Sequence, residues 1–514
     1  MNSQLTLQLD NVSTTVYGKM PKQIYQDFKK TLGYVPENAL WQARSNPYFP
    51  GYYTCVCWNR EYCRCAVKKD GLHFPTGLIS KALNFFAANG IQCEIIDVRD
   101  KNIANSTKEV PYSIADSLKN GTPFNLYDYQ KEAVEKAIKA QRGIIRAATG
   151  SGKTAILSAI IAEIGVKPTI FYVTSVDLLK QAADEIEQFV RLNGIPVVVG
   201  KIGGGYKEIN CDITVMTIQT AVRCLDAKYI KYDDDEREDQ TDISDIKNDI
   251  ATLIKTAKLI LVDECQHVSC ESCQTIADHS ISARWRYGAS ATPYRDLGDD
   301  ILIDACFGKP IVNINASYLI DRGYLVKPTI AFIHIDNMRG QKLGAYPNVY
   351  KEAIVENTYR NSIVSQLSQN LKNQGRSVLV LIKNISHGEA LQEMIPDSVF
   401  IHGSCTNKQR EQHIKNMRLG LPGITIASTI FDEGIDVKPL NALILAGGGK
   451  SATRALQRIG RVIRPYSYPN GSKKTDAFVY DFHDVQKYIT NHSMARRKIY
   501  RTEPQFDIYD FDLK

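Results

Sequence analysis

The sequence predicts an α/β fold of two lobes, each built on a parallel sheet, preceded by a small α+β domain. Three observations carry this. From Gly143 onward, apolar runs of strand length alternate with helical stretches, the pattern of parallel strands covered on both faces. The alternation occurs twice, with a change of character after Gly308-Lys309-Pro310. At 514 residues the chain is also too long for one core. We expect a small α+β domain over 1–110, a first lobe over 111–310, a second lobe over 311–485 and a basic segment over 486–514.

Composition narrows the class. With 44% hydrophobic and 23% charged residues the chain is an ordinary globular protein, and a formal charge of +7 permits a nucleic-acid partner without requiring one. Met1-Asn2-Ser3-Gln4-Leu5-Thr6 offers neither a basic start nor an apolar h-region, so no secretory signal is expected. No apolar run approaches the roughly 20 residues that span a bilayer, which predicts a cytoplasmic or nuclear protein without a membrane partner. Twelve cysteines then read as reduced thiols. Cys55-x-Cys57 and Cys63-x-Cys65 have the alternation of strands, both thiols on one side, on a hairpin of Tyr52 to Trp58 and Tyr62 to Val67; zinc is the other reading. Cys265, Cys270 and Cys273 form a looser group.

In chain order, Gln4 to Val16 and Gln23 to Leu32 read as two strands or as a strand and a helix. After the hairpin, Thr76 or Gly77 to Asn89 has helical apolar spacing with Gly90 as its stop, and Ile91 to Val98 is a strand. Lys29, Lys30, Arg60, Arg64, Lys68 and Lys69 make this domain a candidate grip on substrate. Residues 101–120 read as a linker, and a helix then runs from about Gln130 to Ala140. The Gln130 amide offers the donor and acceptor that match adenine's edges.

The stretch Ala147-Ala148-Thr149-Gly150-Ser151-Gly152-Lys153-Thr154 lies between a strand (Gly143 to Ile145) and a helix (Ala155 to Ala162), the context a phosphate-binding loop requires. Ala148, Thr149, Gly150, Ser151 and Gly152 would wrap their amides round a triphosphate. Lys153 would reach its β- and γ-phosphates and Thr154 would ligate Mg²⁺. After the strand Thr169 to Val173 come Thr174 and Gln181, and after Ile213 to Met216 come Thr217 and Gln219. These polar groups sit where open α/β sheets bind ligands, and suit a phosphodiester backbone. An acidic insert, Asp233 to Asp239 within about 231–249, reads as a solvated loop; a gate competing with nucleic acid is its sharper alternative.

The strand Leu259 to Val262 delivers Asp263, a candidate Mg²⁺ ligand, and Glu264, a candidate polariser of the attacking water. His267, Ser290 and Thr292 are placed to couple nucleotide state to the interface between lobes. The second lobe has strands at Ser377 to Ile382, Ser398 to Ile401, Ile424 to Ser428, Ala442 to Leu445 and Ala477 to Tyr480, and lacks a second phosphate loop. Gln457, Arg461 and Arg464 share one face if helical, which suits a γ-phosphate. Gly434 and Asp436 would line the same cleft, and Lys383, His402 and Thr429 would meet the nucleic acid from this lobe. Lys487, Arg496, Arg497, Lys498 and Arg501, with Tyr488 and Tyr500, make the last segment a candidate for backbone contact and stacking.

Residues 124–464 thus carry an ordered set: Leu-x-x-Tyr-Gln, Ala-x-x-Gly-x-Gly-Lys-Thr, Thr-x-x-Leu-x-x-Gln, Asp-Glu-x-x-His, Ser-Ala-Thr and Gln-x-x-Gly-Arg-x-x-Arg. The set resembles superfamily 2 helicases and translocases. Asp263 to His267 and Ser290 to Arg295 look like the branch containing XPB, RecG-like and phage UvsW-type enzymes. Asn46-Pro47-Tyr48-Phe49, His73 to Ile79, Lys201-Ile202-Gly203-Gly204-Gly205 and Lys383 to Gly388 are similar to UvsW-type proteins as well. The resemblance implies two RecA-like lobes with ATP and Mg²⁺ between them, and an ATP-dependent DNA helicase acting on branched or forked DNA. It also implies RNA in RNA–DNA hybrids as a further partner, a monomer on DNA, and the cytoplasm of a bacterial host for a phage-encoded chain. An RNA helicase, an ATP-gated clamp and a restriction-type motor subunit are the alternatives.

Overall fold

The computed structural model describes residues 4–34, 54–55, 72–99, 108–119, 121–227, 239, 241–268, 270–291, 300–335, 344–428, 437–449 and 451–511. The chain divides into two compact units, residues 1–147 with 152–313 and residues 148–151 with 314–514.

The first unit opens with a four-stranded sheet in the order Leu72–Pro75, Ser13–Tyr17, Gln4–Leu9, Gln92–Asp97. Alternation along Gln4–Leu9 turns Leu5, Leu7 and Leu9 inward. The helices Lys22–Thr31 and Ile79–Ala88 bring Phe28 onto Phe86, with ring centroids 4.7 Å apart, while Phe74 meets Phe28 edge-on at 5.8 Å. Thr54–Cys55 pairs antiparallel with Gly33–Tyr34; Cys57, Cys63, Cys65 and the rest of the expected hairpin lie outside the described residues.

This module shares one apolar core with the sheet that follows it. Arg142 Nη2 donates to Asn11 O at 2.8 Å, and Asn11 Nδ2 donates to Ile281 O at 3.1 Å. Gly77 is pressed so closely on helix Asp300–Phe307 that a Cβ there would lie 2.2 Å from Asp304 O. The expected linker is also partly structured. Tyr112–Ile114 is a strand that pairs with Val190–Leu192, too short to show a period in the sequence.

The main sheet of the first unit has eight strands in the order Tyr206–Lys207, Val199–Gly203, Ile213–Thr217, Thr169–Val173, Leu259–Val262, Trp285–Ser290, Arg142–Ala147, Pro310–Ile314. From Val199–Gly203 to Arg142–Ala147 every pairing is parallel. The inner strands are buried throughout, as expected for a sheet covered on both faces. Pro310–Ile314 is an edge strand of this sheet. Gly308-Lys309-Pro310 is therefore a turn inside the first unit, three to five residues ahead of the boundary at Asn313 and Ile314.

The second unit carries a seven-stranded parallel sheet in the order Ser398–Ile401, Gly423–Ala427, Ser377–Leu381, Ala442–Ile444, Ala477–Asp484, Pro328–Ile335, Asp507–Phe511. The segment 486–514, expected as a separate basic tail, instead completes this lobe. Asp507–Phe511 is its edge strand, and helix Ile489–Tyr500 sends the buried Arg496 to Asp481 through two hydrogen bonds of 2.8 and 2.7 Å. Tyr500 donates to the same carboxylate at 2.9 Å, and Arg497 pairs with Asp510. The charges of Arg496 and Arg497 are spent on packing, since each guanidinium meets an acid from a strand of the sheet, while Lys487, Lys498 and Arg501 are exposed.

Candidate functional site

The helix Lys153–Ile164 begins at Gly152, whose φ of +76° a side chain would strain. Two strands away, Val262 ends a buried strand and Asp263 and Glu264 follow it. The sheet topology brings these ends together: Lys153 Nζ contacts Glu264 Oε1 and lies 3.9 Å from Asp263 Oδ1. Gln266 Nε2 donates to the other oxygen of Glu264, and the Glu264 amide donates to Asp263 Oδ1 at 2.9 Å. Glu264 adopts φ +46°, a left-handed conformation that costs a non-glycine residue about 1–2 kcal/mol and aims its side chain at the lysine.

The electrostatics follow from this packing. Burial alone would lower the Lys153 ammonium's pKa, but Glu264 and then Asp263 outweigh it and hold the group above the usual lysine value. Burial raises the Asp263 carboxyl, against the pull of Lys153 and with the push of Glu264. Burial would raise Glu264 too, yet Lys153, His267 and the hydrogen bonds from Lys153 and Gln266 bring it below the ordinary carboxylate range. A cation held by two carboxylates, with Thr154 in the first turn of the same helix, fits a polyphosphate carrying Mg²⁺: Lys153 would meet the phosphates, and Asp263 and Thr154 would supply the hard oxygens that ion takes.

Gln130 is buried and lies against the loop. Its Oε1 accepts from the Tyr127 amide at 2.9 Å, and its Nε2 is where a Cβ on Gly152 would fall, 2.5 Å away. In this structure the amide caps its own helix and shapes the loop. His267 and Ser290 are buried, His267 one 3-10 turn beyond Glu264 and Ser290 at the end of its strand. Thr292 lies outside the described residues.

Thr174 is buried after the strand Thr169–Val173, and Gln181 is exposed on the next helix, bonded to Glu185 at 2.9 Å. Thr217 and Gln219 come together at one polar pocket, and an unexpected residue fills it. Asp239, from the acidic insert, is only 5% exposed and accepts from Thr217 Oγ1 at 2.5 Å and Thr220 Oγ1 at 2.8 Å. Its amide donates to Gln219 Oε1 at 2.6 Å. Sequence reasoning missed Asp239 because it is one acid in a charged run; nothing local separates it from its neighbours.

In the second unit Lys383 is exposed at the end of strand Ser377–Leu381, and His402, half-buried, follows strand Ser398–Ile401. Gln457 and Arg461 lie on helix Ala452–Val462, four residues apart and so on one face. Arg464 falls two residues past that helix, so the three-residue spacing from Arg461 is not a helical one. Thr429, Gly434 and Asp436 lie outside the described residues. Cys265, Cys270 and Cys273 are buried thiols in no disulfide. Among the described residues no group of three or more His, Cys, Asp or Glu is arranged to hold a metal ion. Among the same residues no helix is long and apolar enough to cross a membrane.

A glycine-bearing phosphate loop answered by an Asp-Glu pair on a strand of the same parallel sheet defines a P-loop nucleotide-hydrolysing motor. Residues 123–295 match the family model described as "Type III restriction enzyme, res subunit", and residues 360–466 match "Helicase conserved C-terminal domain". A Halobacterium salinarum protein provisionally named DNA 3'-5' helicase Rad25 is 27% identical over 70% of this chain and 57% of its own length. The "ATP-dependent DNA helicase uvsW" of Enterobacteria phage T4 is 23% identical over 69% of this chain and 68% of its own. The solved structure of Mss116p superposes with a TM-score of 0.51 at 12% identity, covering 76% of this chain and 74% of that one, and shares the two-lobe fold. The chain belongs to the superfamily 2 helicases. It spans little more than half the length of the first of these relatives.

Proposed function

We propose that this protein is an ATP-dependent DNA helicase or translocase that remodels branched DNA, working as a monomer in the cytoplasm. The observation that carries the reading is the half-buried Lys153–Glu264–Asp263 cluster at the carboxyl edge of the first sheet. Lys153 holds the β- and γ-phosphates in exchange for its present carboxylate partners, and the released Glu264 polarises the attacking water. Thr154 and Asp263 would hold Mg²⁺, which when bound would supply positive charge to offset that of the phosphates. Gln457, Arg461 and Arg464 of the second unit, with Gly434 and Asp436, complete the γ-phosphate site. His267, Ser290 and Thr292 pass its state to the strand-holding groups: Thr174, Gln181, Thr217 and Gln219 in the first unit, Lys383, His402 and Thr429 in the second. Preference for DNA is supported by the names of the archaeal and phage relatives, and preference for branches by the likeness to the phage protein. RNA in RNA–DNA hybrids would be accepted as a second substrate.

The test is ATP hydrolysis with single-stranded DNA, duplex, a four-way junction and RNA. Junction stimulation with release of product strands is expected. Glu264→Gln should cut turnover at least 10²-fold with DNA affinity retained, and Arg461→Ala about 10³-fold or more with ATP still bound. Stimulation by RNA alone would transfer the protein to RNA remodelling; movement along duplex without strand release would favour a restriction-type motor. Normal turnover by Lys153→Ala would overturn the site itself.

A further inference from the structure

Three consecutive glycines, Gly203, Gly204 and Gly205, have φ of +113°, +58° and +90° at the end of strand Val199–Gly203. Such a run takes the chain through a turn that only glycine enters without strain, and it leaves backbone amides free to meet side chains. Here the Gly204 amide donates to Asp239 Oδ1 at 3.1 Å, and the Gly205 amide donates to Thr241 Oγ1 at 2.7 Å. The Thr217 and Thr220 hydroxyls close the other side on Asp239 Oδ2, and Arg223 Nη2 stands 3.9 Å from Oδ1. Thr241 adds its own amide and hydroxyl to Oδ1, at 3.1 and 2.6 Å. A Cβ on Gly203 would lie 2.6 Å from both Asp239 Oδ2 and Thr217 Oγ1, so backbone, hydroxyls and carboxylate fit without spare room.

Neutral amides and hydroxyls with a guanidinium behind them are the means by which proteins hold a phosphodiester without reading its bases. A carboxylate with two oxygens fills the same donors. We propose that Asp239 is a built-in competitor for the nucleic-acid backbone: its carboxylate occupies these donors, and a strand gains Gly204, Thr217 and Thr220 only by displacing it. The inference rests on the reading that Thr217 and Gln219 hold a strand.

The same contacts hold the Asp239 carboxyl down at about 2, hydrogen bonds from Thr217, Thr241 and Thr220 overcoming the burial that would raise it. Asp239 is therefore charged throughout the neutral range, and displacement is driven by the strand's own phosphates rather than by pH.

The experiment measures binding of a fluorescent oligo-dT of about 20 nucleotides to the full chain. Asp239→Ala should bind at least tenfold tighter, and adding Thr217→Val should remove the gain. Unchanged or weaker binding by Asp239→Ala, with Thr217→Val alone binding weakly, would overturn the competitor while leaving the strand reading intact. No change in either variant would remove the strand reading and the inference with it. The unmodified protein gives a check that does not depend on variants folding. The Asp239 amide, bonded to Gln219 Oε1, should exchange its hydrogen faster when the oligonucleotide saturates the protein. Undiminished protection would overturn the proposal.

Discussion

At single residues, the site shows strain and space placed where chemistry needs them. Glu264 is one of five described non-glycine residues with positive φ, and it is the one whose side chain meets Lys153. Gly152 is constrained from two directions, by its left-handed backbone and by Gln130 Nε2. Gly152→Ala is therefore expected to fold but to lose at least tenfold in affinity for a fluorescent ATP analogue, because the new methyl group must push Gln130 from its bond to Tyr127. Unchanged affinity would show that Gln130 yields freely. The loop residues were legible in the sequence because their spacing is local. The partners of Gln130 were not, since its contact with Gly152 depends on how a helix and a loop pack.

Single elements add constraints that no motif announces. Helix Ile385–Met394 buries His387 completely, its Nε2 bonded to Asn361 Oδ1 at 2.9 Å. Burial first, and then the neighbouring Arg360, push its pKa down to about 3, so the folded ring stays neutral. The unfolded ring titrates near 6.5, so between about pH 6.5 and 3 the unfolded chain binds more protons. Stability is lost as pH falls through that window. Thermal melts should show a midpoint falling more steeply below pH 6.5 for the wild type than for His387→Gln; equal slopes would mean that other groups set the acid limit. Helix Ala452–Val462 teaches a related lesson. Sequence spacing placed Arg464 on its face, but the helix ends first and the chain turns before Arg464 is reached. Periodicity predicts which residues share a face only as far as the helix lasts.

Over the whole molecule, the N-terminal module is part of the first unit's core, which ties any substrate it grips to the nucleotide lobe. Gly77→Ala tests that coupling: its methyl group would meet the Asp304 and Ala305 carbonyls at 2.2 and 2.5 Å, backbone atoms that cannot step aside. The variant should lose about 1–3 kcal/mol of stability, read as a lower melting midpoint, and should become sensitive to protease between the module and the lobe. A wild-type melting curve would mean that the two segments slip past each other at little cost. The sequence by itself determined the fold class, the phosphate loop, the Asp-Glu pair and the main strands, because each is written in a few consecutive residues whose period or backbone freedom allows little else. The tertiary structure decided what long-range packing decides. Tyr112–Ile114 became a strand, Pro310–Ile314 stayed in the first sheet and the basic C-terminal segment joined the second. One aspartate of an acidic run became a buried ligand of Thr217. In each case the partner lies far along the chain, and a residue's charge or period says what it can bind but not which distant group the fold will bring to it.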